Sequence, residues 1–213
     1  MPLPLPEFLA LAAACAPTVP AQTLTPLIRV ESDFNPLAIH VNGEPRIIVK
    51  ARSRAEAVAK ARALIAQGRS VDLGLGQINS RNLGWLRLSV EDAFDPCRNL
   101  AAAARVLQDG YRRAALDQGD PQAALRTAFS IYNTGHPERG FNNGYVARIT
   151  RAAGAAPTGP VPPDQPERSA AAAPPPPPPW DVFGQTIAGD VLLLRISPVA
   201  ADHRPLSAPG DLP

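Results

Sequence analysis

Residues 23–36 read TLTPLIRVESDFNP, and the fold follows from how this stretch is parsed. Thr23 and Thr25-Pro26 are helix-start residues, since threonine caps and proline is tolerated in a first turn. Leu24, Leu27, Ile28 and Glu31 then recur at the i, i+3, i+4, i+7 spacing of one helix face. Asn35-Pro36 stops the helix, because a residue before proline is pushed out of the helical region. The apolar face therefore ends in a carboxylate. Burial disfavours its charge, and the negative end of the helix dipole pushes the same way, so both raise its expected pKa. A neutral carboxylic acid in an apolar cleft suits a general acid. A glutamate that snorkels or pairs with Arg29 or Arg52 is the plain alternative.

The same reading extends in both directions. Pro6 is expected to open a first helix with Leu9, Ala12 and Ala13 toward a core. A signal peptide is the competing reading of Phe8 to Pro17, but Glu7 stands where a basic n-region belongs. Ala38 to Lys50 reads as a short hairpin or irregular excursion around Asn42-Gly43. Ser53 to Gln67 reads as a helix with Ser53 as cap, Glu56 in the capping-box position and Gly68 as stop. Asp72 to Asn79 is expected to be a glycine-punctuated turn leading to Ile78, and Ser89-x-x-Asp92 to cap a short turn. Helices follow over Leu100 to Leu116, Pro121 to Tyr132 and Gly144 to Arg151. About six helices with very little strand make the fold class mainly α.

Composition sets the limits. Of 213 residues, 26 are proline, and 15 of these fall in residues 151–213. The last third is thus not expected to build a core, and residues 1–150 are enough for one. Those 150 residues hold 17 basic and 13 acidic side chains, a balance of +4. That is too weak for a nucleic-acid footprint. Two cysteines and three histidines without ligand spacing predict no metal site and no cofactor. No apolar run approaches the roughly 20 residues that span a bilayer. Residues 153–179, with six prolines at Pro174–Pro179, read as an extended spacer. Residues 180–213 read as a flexible tail whose Trp180–Gly184 and Val191–Ile196 segments form either a disordered island or a docking peptide.

Three further segments complete the chemistry. Gly74 and Gly76 let backbone approach a ligand. Gln77 and Asn79 offer amides for sugar hydroxyls and N-acetyl groups, and Tyr132, Asn133 and Tyr145 add two phenols and an amide. Taken in order, Glu31-Ser32, Gly-Leu-x-Gln-Ile-Asn at 74–79, Tyr-Asn-x-Gly at 132–135 and Tyr145 resemble the lysozyme-like lytic transglycosylases, in the branch that accompanies type IV secretion and conjugation machines. Cys15-Ala16-Pro17, Asn35-Pro36-Leu37-Ala38-Ile39, Asp95-Pro96-Cys97-x-Asn99-Leu100, and Trp180-Asp181-Val182-Phe183-Gly184 after the prolines fit the same branch.

The resemblance covers about residues 5–150 and implies a lysozyme-like catalytic domain over 1–152. It implies that Glu31 is the single acid/base. Ser32 orients substrate or the glutamate, Gly76, Gln77 and Asn79 line the groove, Tyr132 and Asn133 sit beside Glu31, and Tyr145 closes on the reacting sugar. Many relatives carry Met where this chain has Gly76, a departure expected to alter how the substrate packs. The implied reaction is non-hydrolytic cleavage of the bond between N-acetylmuramic acid and N-acetylglucosamine, giving 1,6-anhydro products. The partners would be peptidoglycan strands and secretion-machine envelope subunits, the place the periplasm, although no export signal is evident. In that oxidising compartment Cys15 and Cys97 are expected to pair, with two reduced core thiols as the alternative. A lysozyme-type hydrolase would need a second carboxylate, with Asp72 first and Asp33 behind it, although Asp72 reads more simply as a turn or cap residue. A wall-binding assembly factor without turnover is the non-enzyme alternative.

Overall fold

The structure, a computed structural model, describes residues 1–43, 45 and 47–154. Helix α1 (Leu5–Cys15) follows Pro4, with Pro6 in its first turn, and buries Phe8 and Ala12. Leu9 and Ala13 are exposed, so the buried stripe lies about a third of a turn from the expected one. Phe8 sits 4.9 Å, centroid to centroid, from Phe34 beyond the next helix.

Helix α2 (Ala21–Ser32) begins directly after Pro20, earlier than Thr23 and Thr25-Pro26 imply. Pro20 is extended there (φ −59°, ψ 144°), so it acts as the boundary, and Pro26 lies inside the helix with Thr25 Oγ1 donating to the carbonyl of Ala21 at 2.6 Å. Leu24, Leu27 and Ile28 are fully buried, as the spacing requires. The helix stops at Asp33 and Phe34, both left-handed (φ 50° and 60°), ahead of the Asn35-Pro36 signal.

The expected hairpin forms as β1 (Ile39–Val41) and β2 (Ile47–Val49), paired antiparallel with His40 opposite Ile48. Helix α3 (Arg54–Ala66) carries the Ser53 cap, whose Oγ accepts from Glu56 N at 3.2 Å, while Glu56 Oε2 accepts from Arg52 N at 2.8 Å. The segment read as a turn holds two more strands, β3 (Val71–Leu73) and β4 (Ile78–Asn79), giving a four-stranded antiparallel sheet in the order β2-β1-β3-β4. Strands of two or three residues give too little alternation to be read by period, so glycine dominates the local signal. Asp72 is consequently a strand residue opposite His40 and Asn79, not a turn or cap.

Short helix α4 (Leu83–Leu86) leads to a reciprocal Ser89/Asp92 cap, with Asp92 N donating to Ser89 Oγ at 3.1 Å and Ser89 N to Asp92 Oδ2 at 3.0 Å. Asp95 then caps α5 (Pro96–Ala115), four residues before the expected start. Helix α6 (Pro121–Thr134) starts at an Asp120 cap and stops at left-handed Gly135, and α7 (Arg139–Asn142) and α8 (Tyr145–Gly154) follow. The described residues are thus mainly helical with one small sheet. Helix α5 packs on α6 and α1, and α2 packs on α8. No helix among the described residues is long and apolar enough to cross a membrane. The spacer at 153–179 and the tail at 180–213 lie outside the described residues, apart from Ala153 and Gly154 in α8.

Cys15 and Cys97 form a disulfide, with their Cα atoms 5.2 Å apart, joining the end of α1 to the first turn of α5. The bridge closes an 82-residue separation, and on the chain-entropy model a loop of that size contributes about 4 kcal/mol. A Cys15→Ser/Cys97→Ser protein is expected to melt roughly 10 °C lower than wild type, with a matching loss on reducing the wild-type bond; equal thermal midpoints would remove that contribution.

Candidate active site

Glu31 stands in the last turn of α2, partly exposed, where two depressions meet. One is a groove of about 420 Å³ between the sheet, the middle of α5 and the end of α6. Asp72, Gln77 and Asn79 line it from the sheet, and Val106, Tyr132 and Asn133 from the helices. Asn42, Ser70, Arg81 and Asn82 complete its polar wall. Sequence spacing does not reveal these four, because only strand pairing brings them together. Ser70, for example, meets Asn42 through the Asn42 N–H donated to the Ser70 carbonyl at 2.9 Å.

Beneath Glu31, the Tyr145 hydroxyl donates to Glu31 Oε1. Tyr145 is buried at the start of α8, where Asn143 Oδ1 accepts from its backbone N–H at 2.9 Å. It therefore supports the carboxyl from the core and is not among the residues that line the groove. Burial first, and the nearby Glu31 charge second, push its phenol well above the ordinary tyrosine range. Tyr145 accordingly stays a proton donor to Glu31 throughout the neutral range. Tyr132 is pushed up in the same way, by burial and then by Glu31 and Asp72, and its hydroxyl donates to the Gly76 carbonyl at 2.6 Å.

The Gly74–Gln77 turn is held from behind. Asn99, 1% exposed on α5, accepts from Gly76 N at 2.6 Å through Oδ1. Its Nδ2 donates to the carbonyls of Leu73 at 2.9 Å and Ala93 at 2.7 Å. Gly74 is left-handed (φ 71°), and a Cβ there would strike the Ala93 carbonyl and the Asn99 amide. The resemblance includes Asn99, in Asp95-Pro96-Cys97-x-Asn99-Leu100, without giving it a role. The available signal was a polar side chain on the same face as Ala103 and Leu107 in an otherwise apolar helix stripe.

Gln77 adopts φ 48°, a conformation that non-glycine residues seldom take. Its Nε2 donates to the carbonyls of Gly74 at 2.8 Å and Ala38 at 3.3 Å. Both N–H groups are thereby used, and the buried Oε1 has no protein partner. An acceptor left open in a groove wall is suited to a ligand N–H or O–H. Asn79 is different. Its Nδ2 donates to Asp72 Oδ1 at 2.7 Å and Ser70 Oγ at 2.9 Å, while its Oδ1 accepts from Arg81 N at 3.0 Å. Asn79 lines the groove but braces its wall. Ser32 lies in the second depression and donates to the Ile28 carbonyl at 3.3 Å. Asn133 lines the groove and accepts from Asn143 Nδ2 at 2.9 Å. Among the described residues no group of three metal-binding side chains converges.

With this geometry in place, comparison with known proteins is informative. The family model described as "Transglycosylase SLT domain" matches residues 8–150. The chain belongs to this family. It is 41% identical over 152 residues to "Type IV secretion system protein virB1" of Brucella abortus biovar 1 (strain 9-941), covering 68% of this chain and 63% of that protein. It is 38% identical over 184 residues to "Protein virB1" of Rhizobium radiobacter, covering 86% and 74%, and 37% identical over 185 residues to "Protein virB1" of Agrobacterium fabrum (strain C58 / ATCC 33970), covering 86% and 73%. The chain spans a little under two thirds of the length of the Brucella relative. No solved structure matches it.

Gly76 does not line the groove of this SLT domain. It is buried behind Gln77, and a Cβ at Gly76 would come within 2.6 Å of Ala103 Cβ and 2.9 Å of the Tyr132 hydroxyl. The absent side chain leaves room for α5 and Tyr132 and does not reshape a sugar subsite. Gly76→Met is expected to lower stability by roughly 1–3 kcal/mol through overpacking. Urea denaturation checks this, and an unchanged midpoint would place the side chain in open space.

Proposed function

We propose that this SLT domain is a peptidoglycan lytic transglycosylase in which Glu31 is the only acid/base. The observation that carries the reading is the Glu31 carboxyl at the mouth of an amide-lined groove, held on Oε1 by the buried Tyr145 hydroxyl. With Oε1 occupied as an acceptor, Oε2 is the oxygen that carries the proton. Glu31 gives that proton to the glycosidic oxygen between N-acetylmuramic acid and N-acetylglucosamine, and the C1–O bond breaks. Charge at C1 is met by the sugar's own N-acetyl oxygen or persists as an oxocarbenium-like state. The Glu31 carboxylate then takes the C6 hydroxyl proton as O6 bonds to C1, which returns the acid and releases a 1,6-anhydro product. Because an internal hydroxyl replaces water, a second carboxylate is unnecessary, unlike the two-carboxylate glycosidases.

In this reading Gln77 Oε1 accepts from a substrate N–H or O–H, and Asn133 and Ser32 contact sugar on either side of Glu31. Asn79, Tyr132 and Tyr145 position the machinery. A hydrolytic reading keeps Asp72 as second carboxylate, favoured by its place in the same groove; its bond from Asn79 counts against it as a free base. The names of the relatives support a setting in the assembly of a type IV secretion machine, with local opening of the wall in the periplasm. The domain at 1–152 would do the chemistry, while 153–179 tethers and 180–213 docks on envelope subunits.

Digestion of isolated peptidoglycan with wild type and Glu31→Gln, read by mass, tests the reaction. Anhydro-muropeptides from wild type and a loss of at least about 10³-fold in the variant are expected; reducing-end products would instead assign water as the nucleophile and bring in Asp72. The Tyr145 contact makes a separate prediction. Its hydroxyl favours the charged form of Glu31, so Tyr145→Phe holds the proton on the acid to higher pH. The alkaline limb of kcat/KM should therefore move upward in Tyr145→Phe, and an unmoved limb would mean that the phenol does not tune the acid.

A further inference from the structure

The second depression, about 790 Å³, begins at Glu31 and runs along the β1–β2 hairpin and the start of α3. Its chemistry differs from that of the amide-lined groove. The groove has one cation in its lining, Arg81, among amides and hydroxyls. The hairpin side carries four: Arg29, Lys50, Arg52 and Lys60. Its carboxylates are Glu31, Asp33 and Glu56.

These cations are not equivalent. Lys60 is committed to the wall: its Nζ pairs with Glu56 Oε1 at 2.6 Å and donates to the Lys50 carbonyl at 2.8 Å. Glu56 Oε2 in turn accepts from Arg52 N at 2.8 Å. One Lys60–Glu56 pair thus fastens the backbone of residues 50–52 at both ends, while the Lys50 and Arg52 side chains remain exposed. Arg29 lies with its guanidinium carbon 5.6 Å from the centre of the Phe34 ring. The result is a braced loop presenting two cations at the edge of a depression that opens onto Glu31.

We infer that Lys50 and Arg52 bind the carboxylates of the peptide stem carried by peptidoglycan strands. This rests on the transglycosylase reading for its choice of ligand. Neutral amides in the groove suit the uncharged hydroxyls and N-acetyl groups of the glycan. Cations on the hairpin side have no such partner in the sugars, whereas the stem on each muramoyl residue bears carboxylates. Muramoyl residues alternate along a strand, so a strand lying across Glu31 brings a stem to the hairpin side whichever way it runs. Arginine and lysine on a fixed backbone form charge-assisted hydrogen bonds with such groups at little ordering cost.

Binding decides the matter without depending on turnover. Glu31→Gln protein and the same protein with Lys50→Glu and Arg52→Glu would be titrated with soluble glycan strands bearing stems, and with stem-free strands of N-acetylglucosamine alone, which carry no carboxylate. The double reversal should weaken binding of stem-bearing strands roughly tenfold, a modest loss as befits exposed charges, and change binding of stem-free strands less than about twofold. The difference should shrink in 0.5 M salt, as expected of charges screened within about 10 Å or less. Equal losses on both ligands, or no loss on stem-bearing strands, would overturn the inference. An inactive wild type in the digestion assay would refute the transglycosylase reading instead, while this titration would still report whether Lys50 and Arg52 recognise stems.

Discussion

The buried amide of Asn99 is the contact on which the groove depends. One side chain on α5 satisfies three backbone groups, Gly76 N, Leu73 O and Ala93 O, and so ties the sheet and the segment before α5 to the central helix pair. Each such bond contributes only about 1 kcal/mol net, but breaking one strands a buried partner at a cost of roughly 1–3 kcal/mol. The asymmetry makes the anchor cooperative. The Tyr132 hydroxyl on α6 takes the Gly76 carbonyl, so both polar groups of that residue are held by helix side chains. A Cβ at Gly74 or Gly76 would sit where these helices already are. The glycines thus serve close packing of the turn, and Gln77, turned into a left-handed conformation, lines the groove with its Oε1 buried and without a protein partner.

Glu31 is placed by a second, independent set of constraints. Helix α2 ends in consecutive left-handed residues, Asp33 and Phe34, which reverse the chain as Phe34 packs against Phe8 of α1. The disulfide joins α1 to α5, and α8 packs on α2 to bring Tyr145 under the carboxyl. The acid and the groove wall are therefore positioned by different helices that meet through a common core. This separation lets the carboxyl stand at a polar mouth while its helix face stays dry.

What could be read from the sequence follows the range of the interactions involved. The apolar face of α2, the Ser53 and Asp92 caps, the Gly135 stop and the hairpin around Asn42-Gly43 rest on contacts within a few residues, and the structure contains them. The carboxyl-bearing helix and the groove residues Gln77, Asn79, Tyr132 and Asn133 were legible as an ordered set. Strands β3 and β4 were not, because β3 is paired by β1, some 30 residues away, and β4, which pairs with β3, is only two residues long. Residue roles were the least legible. The resemblance puts Tyr145 at the reacting sugar and Gly76 in the groove lining, and only tertiary packing shows Tyr145 buried against Glu31 and Gly76 packed against Ala103 and Tyr132.

The same packing bears on the two carboxylates of the groove. Two carboxylates sharing a groove raise each other's proton affinity unless donors separate them. Here the donors are divided between the two acids: Tyr145 serves Glu31 Oε1, and Asn79 serves Asp72 Oδ1. Asn79 is itself locked by Ser70 and by the Arg81 backbone, so its amide cannot turn away from Asp72 without breaking the wall. Asp72 is thus held in the wall by the same strand register that positions Asn79. Glu31 Oε1 accepts from a phenol whose own proton is kept by burial.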